Sequence, residues 1–191
     1  MRYRTSQSSS VNPLWIIIFI NVLLFIGTAI NQELRFFLGL TPAIVQARPW
    51  TVVTSLFVHA SFWHILANMI TLYFFGKYLS GLIGERKLLI VYFGGGILGS
   101  VLFILLGPPF ITAVGASGAV FALGGALTAI VPKLKVIVFP IPVPIPLWAA
   151  VIGGFVILSF VPFVAWQAHL GGLVFGLIAG YFFKKKGRYY F

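Results

Sequence analysis

The chain of 191 residues is 60% hydrophobic and 8% charged, where a soluble domain would carry roughly 25% charged residues. The absence of cysteine excludes disulfides, thiolate metal sites and a cysteine nucleophile. Three histidines and two distant glutamates offer no adequate metal-ligand set, and no cofactor is implied.

Arg2 and Arg4 precede an apolar run from Leu14 to about Ile30. The arrangement resembles a signal sequence, but the run is long enough to span, which predicts an uncleaved first helix. Residues 1–13 then form a cytoplasmic tail, with Ser8–Ser10 disordered. The segment 31–61, with Glu33, Arg35, Arg48 and Trp50, is amphipathic and predicts an interfacial loop between the first two helices. Further apolar stretches at about 62–79, 88–106, 114–131, 146–163 and 166–183 bring the spans to six. Pro132 and Pro162 stand at two of the ends, where a missing N–H stops a helix. Prolines 140, 142, 144 and 146 forbid helix and predict an extended, polyproline-like segment, either a stiff interfacial connector or a binding element. The fold class is therefore an all-α integral membrane bundle of six helices over residues 14–183, followed by a basic cytoplasmic tail, 184–191.

Basic residues collect on the cytoplasmic side of short loops. With the N-terminus inside, Arg2, Arg4, Lys77, Arg86, Lys87, Lys133, Lys135, Lys184, Lys185, Lys186 and Arg188 are cytoplasmic. Only Arg35 and Arg48 lie outside. This distribution predicts a multi-pass protein of the plasma (cytoplasmic) membrane with both termini inside. It also explains the net charge of +11 without nucleic acid.

In that orientation spans two, four and six each carry a polar group near the outer end. They are His64 and Asn68, Ser117, and His169. Polar groups in hydrocarbon are expensive and mark function. Taken singly, each has a plain structural reading. Ser117 between Gly115 and Gly118 suits helix packing, His169 suits a structural hydrogen bond, and His64 with Asn68, four apart, suits interhelical adhesion. Gly172, Gly176 and Gly180 make a smooth face for span six against span four. At one shared depth, a serine, a histidine and an Asn/His donor pair are the parts of an acyl-transfer site. Glu85 lies across the bilayer and Glu33 has no spacing relation to either histidine, so the chemistry is that of a Ser–His dyad.

"WTVVTSLFVHASFWHILANM" (50–69), "GASG" (115–118) and "AHLGGLVFG" (168–176) resemble, in order and in span, motifs of the rhomboid family of intramembrane serine proteases. The resemblance covers about residues 50 to 180. It implies Ser117 as nucleophile, His169 as general base, and Asn68 with His64 as oxyanion donors, supported by Gly115 and Gly118. The Ser117 backbone N–H is a further oxyanion donor. Three positions depart from the family pattern: Thr51 for an arginine, Ser80 for a glutamate and Ala122 for a glycine. None of these is a catalytic group.

The function expected is hydrolysis of peptide bonds in transmembrane protein substrates, with the lipid bilayer as the other partner and no nucleic acid or metal. Water must then reach a wet cavity in the outer half. Span five and the loop 162–167, with Phe160, Phe163 and Trp166, suit either a lateral lid or an interfacial aromatic belt. A transporter would show midplane charges or inverted repeats, and neither is visible. A non-catalytic binder of the same fold would be favoured had Ser117 or His169 been replaced.

Overall fold

The structure, a computed structural model, describes residues 12–138 and 142–186. Arg2, Arg4, the Ser8–Ser10 tail, Pro140 and Arg188 lie outside the described residues.

Helix α1 (Pro13–Ile30) starts where Asn12 caps the N–H of Leu14 at 2.9 Å and Pro13 supplies a pre-set φ. The expected interfacial loop is built from short pieces. These are α2 (Glu33–Leu38), a 3₁₀ turn at Pro42–Ile44, α3 (Thr51–Thr54) and a 3₁₀ turn at Ser55–Phe57. Side chains tie the pieces together. Trp50 Nε1 donates to Phe37 O at 3.0 Å, Arg48 Nη1 to Phe36 O at 3.1 Å, and Thr54 Oγ1 to Leu38 O at 2.7 Å.

Helix α4 (Phe62–Ile83) is capped by Ser61, whose hydroxyl accepts from His64 N at 3.2 Å. Gly84, at φ 85°, turns the chain into α5 (Glu85–Leu106) in a backbone region that glycine enters freely. Next come α6 (Ser117–Ile130), the strands β1 (Lys135–Val136) and β2 (Ile145–Pro146), α7 (Leu147–Ser159) and α8 (Trp166–Lys186).

The central pillar is α6. Nearly all of its residues are buried, as expected of a helix surrounded by protein on every side. Its main partners are α8 and α5, with α4 and α7 along its remaining faces. The α6–α8 seam depends on missing side chains. A Cβ on Gly172 would run into Gly118 O, one on Gly176 into Ala122 O, and one on Gly180 would stand 2.5 Å from Ala126 O. Ala122 fits in place of a glycine because the facing Gly95 has no side chain. The smooth glycine face expected of span six is therefore its contact with α6.

Three helices, Pro13–Ile30, Glu85–Leu106 and Trp166–Lys184, are long and apolar enough to cross a bilayer. Thr51–Phe57 and Phe62–Ile83 together form a further apolar run, bent by 92°. The stretches expected as spans four and five hold helices of only 14 and 13 residues, shorter than the ~20 of a full crossing. Irregular backbone at such depth is tolerated where protein covers it. At α6 this holds, because Leu40 and Ala113 exchange backbone hydrogen bonds of 2.9 and 2.8 Å just before the helix. Large apolar side chains such as Phe19, Leu105, Ile157 and Phe182 face outward, as they do when the solvent is lipid.

The described strands of the proline-rich segment are extended, as its composition requires, and they are also paired. Lys135 lies opposite Pro146 and Val136 opposite Ile145 in an antiparallel ladder. Leu147 N donates to Leu134 O at 2.7 Å and closes the base of the hairpin.

Candidate active site

Ser117 is the first residue of α6, and Gly115 delivers the chain to it. Gly115 has φ 129°, which a side chain would resist, and a Cβ there would stand 2.8 Å from His64 Cε1 and Nε2. Its N–H donates to Ser55 O at 2.9 Å, so the segment before α4 holds the turn. The N–H of Ser117 belongs to the first turn, where no intrahelical acceptor exists. The positive end of the helix dipole adds to its donor power.

Helix α8 brings His169 to the same point. His169 Nε2 and Ser117 Oγ are 2.7 Å apart, and the imidazole is buried. The close approach depends on Gly118, where a Cβ would stand only 3.1 Å from Ala168 O. One turn beyond Ser117 on the same face of α6, the Phe121 ring lies 4.7 Å from the His169 ring at 33° and fixes its plane. His169 Nδ1 has no hydrogen-bond partner among the described residues. Neither glutamate is bonded to it, and the contact described is that of the two side chains, Ser117 and His169.

Helix α4 supplies the remaining polar groups. Asn68 donates one amide hydrogen to His64 O at 2.8 Å and retains the second. His64 Nδ1 accepts from Ala60 N at 3.4 Å, which puts the imidazole proton on Nε2, the atom beside Gly115. Ser117 and Asn68 both line a cavity of about 810 Å³ that opens between α4 and α7 across the face of α6. Phe160 and Phe163 do not line it. They are 85% and 98% exposed, with Phe163 at φ 63°.

Two residues of the site went unassigned in the sequence. One is Phe121, an aromatic in an apolar helix, whose i+4 spacing from Ser117 was the available signal. The other is His59, fully buried, whose Nε2 accepts from Ala116 N at 3.4 Å and whose ring meets that of His64 edge-on at 5.0 Å. It ties the residue before Ser117 to the segment leading into α4. A histidine five residues before His64, at the mouth of the same span, was its only trace.

The rhomboid domain family model matches residues 46–186, most of the chain. The chain belongs to the rhomboid family. It is similar to "Rhomboid protein 1, mitochondrial" of Saccharomyces cerevisiae, 29% identical over 158 residues, covering 71% of this chain and 42% of the relative. Over 87 residues it is 33% identical to "Putative rhomboid protease YdcA" of Bacillus subtilis, covering 46% and 44%. "Inactive RHOMBOID-like protein 8" of Arabidopsis thaliana is 29% identical over 126 residues, covering 65% and 35%. The chain thus spans less than half the length of each of these relatives. Family and apolar helices together make this rhomboid an integral, multi-pass membrane protein.

Proposed function

We propose that this rhomboid is an intramembrane serine endopeptidase that hydrolyses peptide bonds of membrane-spanning proteins through Ser117 and His169. The observation that carries the reading is the 2.7 Å approach of His169 Nε2 to Ser117 Oγ at the mouth of an apolar cavity. The printed name of the Bacillus subtilis relative, a putative rhomboid protease, agrees with it.

The chemistry follows from the tautomers. With its proton on Nδ1, His169 accepts the Ser117 hydroxyl proton at Nε2 as Oγ bonds to the scissile carbonyl carbon. The carbonyl electron pair moves to oxygen. Asn68 Nδ2–H, His64 Nε2–H and the Ser117 N–H donate to that oxyanion. Collapse breaks the C–N bond, and the amine leaves with the proton from Nε2. Water then attacks the acyl-enzyme by the same route and frees Ser117.

Substrate would enter between α4 and α7. Helix α7 buries only Leu147 and Val151, and a Cβ on Gly153 or Gly154 would meet nothing. Such a lightly packed helix can yield sideways at low energetic cost. An intact substrate helix hides its carbonyls, so the segment at the cut has to unwind.

A purified single-span substrate reconstituted with this rhomboid in liposomes should yield two fragments. Prior treatment with a serine-directed fluorophosphonate should suppress them. Cleavage that survives full fluorophosphonate occupancy would contradict the reading.

The charge distribution carries a proposal about orientation, with both termini cytoplasmic and the membrane a plasma membrane. A reporter active only in the cytoplasm should work when fused after Phe191. Activity of an outside-only reporter alone at that position would reverse the topology.

A further inference from the structure

The cavity beside Ser117 does not stop at the dyad. Its lining follows α6 from Ser117 through Val120 and Phe121 to Leu127, and continues onto Leu134, Val136, Ile137 and Val138 of the hairpin. One end is therefore the candidate catalytic group and the other is the proline-rich connector. Beyond Ser117, thirteen residues of α6 lead towards the hairpin, about 20 Å at 1.5 Å per residue.

The polarity of the lining restricts the occupant. Ser117 and Asn68 put their hydrogen-bonding groups at one end, the Thr71 hydroxyl is already bonded to Ala67 O at 2.8 Å, and Tyr78, further along α4, adds one hydroxyl to an otherwise apolar lining. Among the described residues, no charged side chain lines the cavity. A phospholipid headgroup would find no cation there. An apolar polypeptide segment with a carbonyl at Ser117 meets the right group at each point. About six extended residues, at 3.3–3.6 Å each, cover the same ~20 Å, as do about thirteen helical ones.

The hairpin is suited to close such a groove. The ladder between β1 and β2, and the bond from Leu147 N to Leu134 O, anchor it to the buried start of α7. Pro142, Pro144 and Pro146 fix φ and withhold donors, so the stretch 142–146 leading into α7 is stiff and does not recruit further strands. Ile137, 72% exposed, and Val138 present apolar surface with little protein covering it.

Resting on the protease reading, we propose that the hairpin is the far wall of the substrate groove. Val136, Ile137 and Val138 are then specificity-determining residues that contact the part of the substrate's apolar segment furthest from the scissile bond. The prolines, which the chemistry at Ser117 leaves unexplained, keep that wall in place.

The test uses the full chain in liposomes and two single-span substrates identical around the cut. One carries about thirteen apolar residues on the groove side of the cut, the other about four. Val136→Trp should lower kcat/KM for the long substrate about tenfold, while Val138→Ala, which is less disruptive, should lower it about threefold, less than a methylene is worth in an enclosed pocket because Val138 is 38% exposed. The short substrate and the rate of fluorophosphonate labelling at Ser117 should be unchanged in both variants. Equal losses on both substrates, or no loss on either, would overturn the proposal. So would a change in bound phospholipid, counted by native mass spectrometry, with cleavage unaffected, since the occupant would then be lipid. If the wild type cleaves neither substrate through Ser117, the protease reading itself fails and this inference falls with it.

Discussion

Ser117→Ala and His169→Ala should each abolish cleavage of a membrane substrate while leaving the fold intact. On the proposed reading, the first removes the atom that would bond the carbonyl carbon, and the second removes the base whose Nε2 lies 2.7 Å from it. In serine hydrolases loss of either partner alone costs about 10⁶ in kcat, on the order of 8 kcal/mol of barrier, and the losses do not add. The double variant should therefore be no slower than either single one. Small side-chain changes at this seam should preserve the bundle, because close backbone and glycine contacts carry much of the α6–α8 packing, and these two side chains add one hydrogen bond to it. Turnover by a folded Ser117→Ala protein at the wild-type rate would exclude Ser117 as nucleophile.

The second large effect is expected at Asn68. Its side chain is nearly buried, one amide hydrogen bonds within α4, and the other is free to meet charge developing beside Ser117. Loss of one oxyanion donor costs on the order of 10²–10³ in kcat, about 2.7–4 kcal/mol. Asn68→Ala should fall by that much and still label slowly with a fluorophosphonate. His64→Ala should fall less, because water can take the place of one donor in a wet cavity. Measuring the melting temperature beside kcat separates this role from simple helix adhesion. A lower melting temperature with unchanged kcat for the folded fraction would remove both residues from the oxyanion site.

Much of this arrangement was legible in the chain, for identifiable reasons. Long apolar runs bounded by Pro132 and Pro162 mark helices because lipid leaves the backbone no other partner. Ser117, His64, Asn68 and His169 were visible as polar groups at one depth, and the glycine spacing of 172, 176 and 180 gave the face of α8 that meets α6. What the sequence hid was non-local. The prolines announce an extended chain, but nothing local says that Lys135 and Val136 pair with Pro146 and Ile145. His59 meets its partner, the N–H of Ala116, 57 positions away. Helix α6 is shorter than its apolar run because Gly115 turns the backbone, so that Ser117 opens the helix inside the protein and not at its surface. Hydropathy averages over such a turn and reads straight through it. Thr51, where an arginine was expected, bonds Arg48 O at 2.7 Å, while Arg48 itself reaches Phe36 O; together they brace the loop.

The most direct test of the dyad is to find where a fluorophosphonate attaches. The protein in detergent is treated with the probe, digested and read by mass spectrometry, for the wild type, Ser117→Ala and His169→Ala. A single adduct on Ser117 is expected in the wild type, none in Ser117→Ala, and a strongly slowed one in His169→Ala. An adduct on another serine, or one that forms on Ser117 as fast without His169 as with it, would contradict the Ser117–His169 dyad.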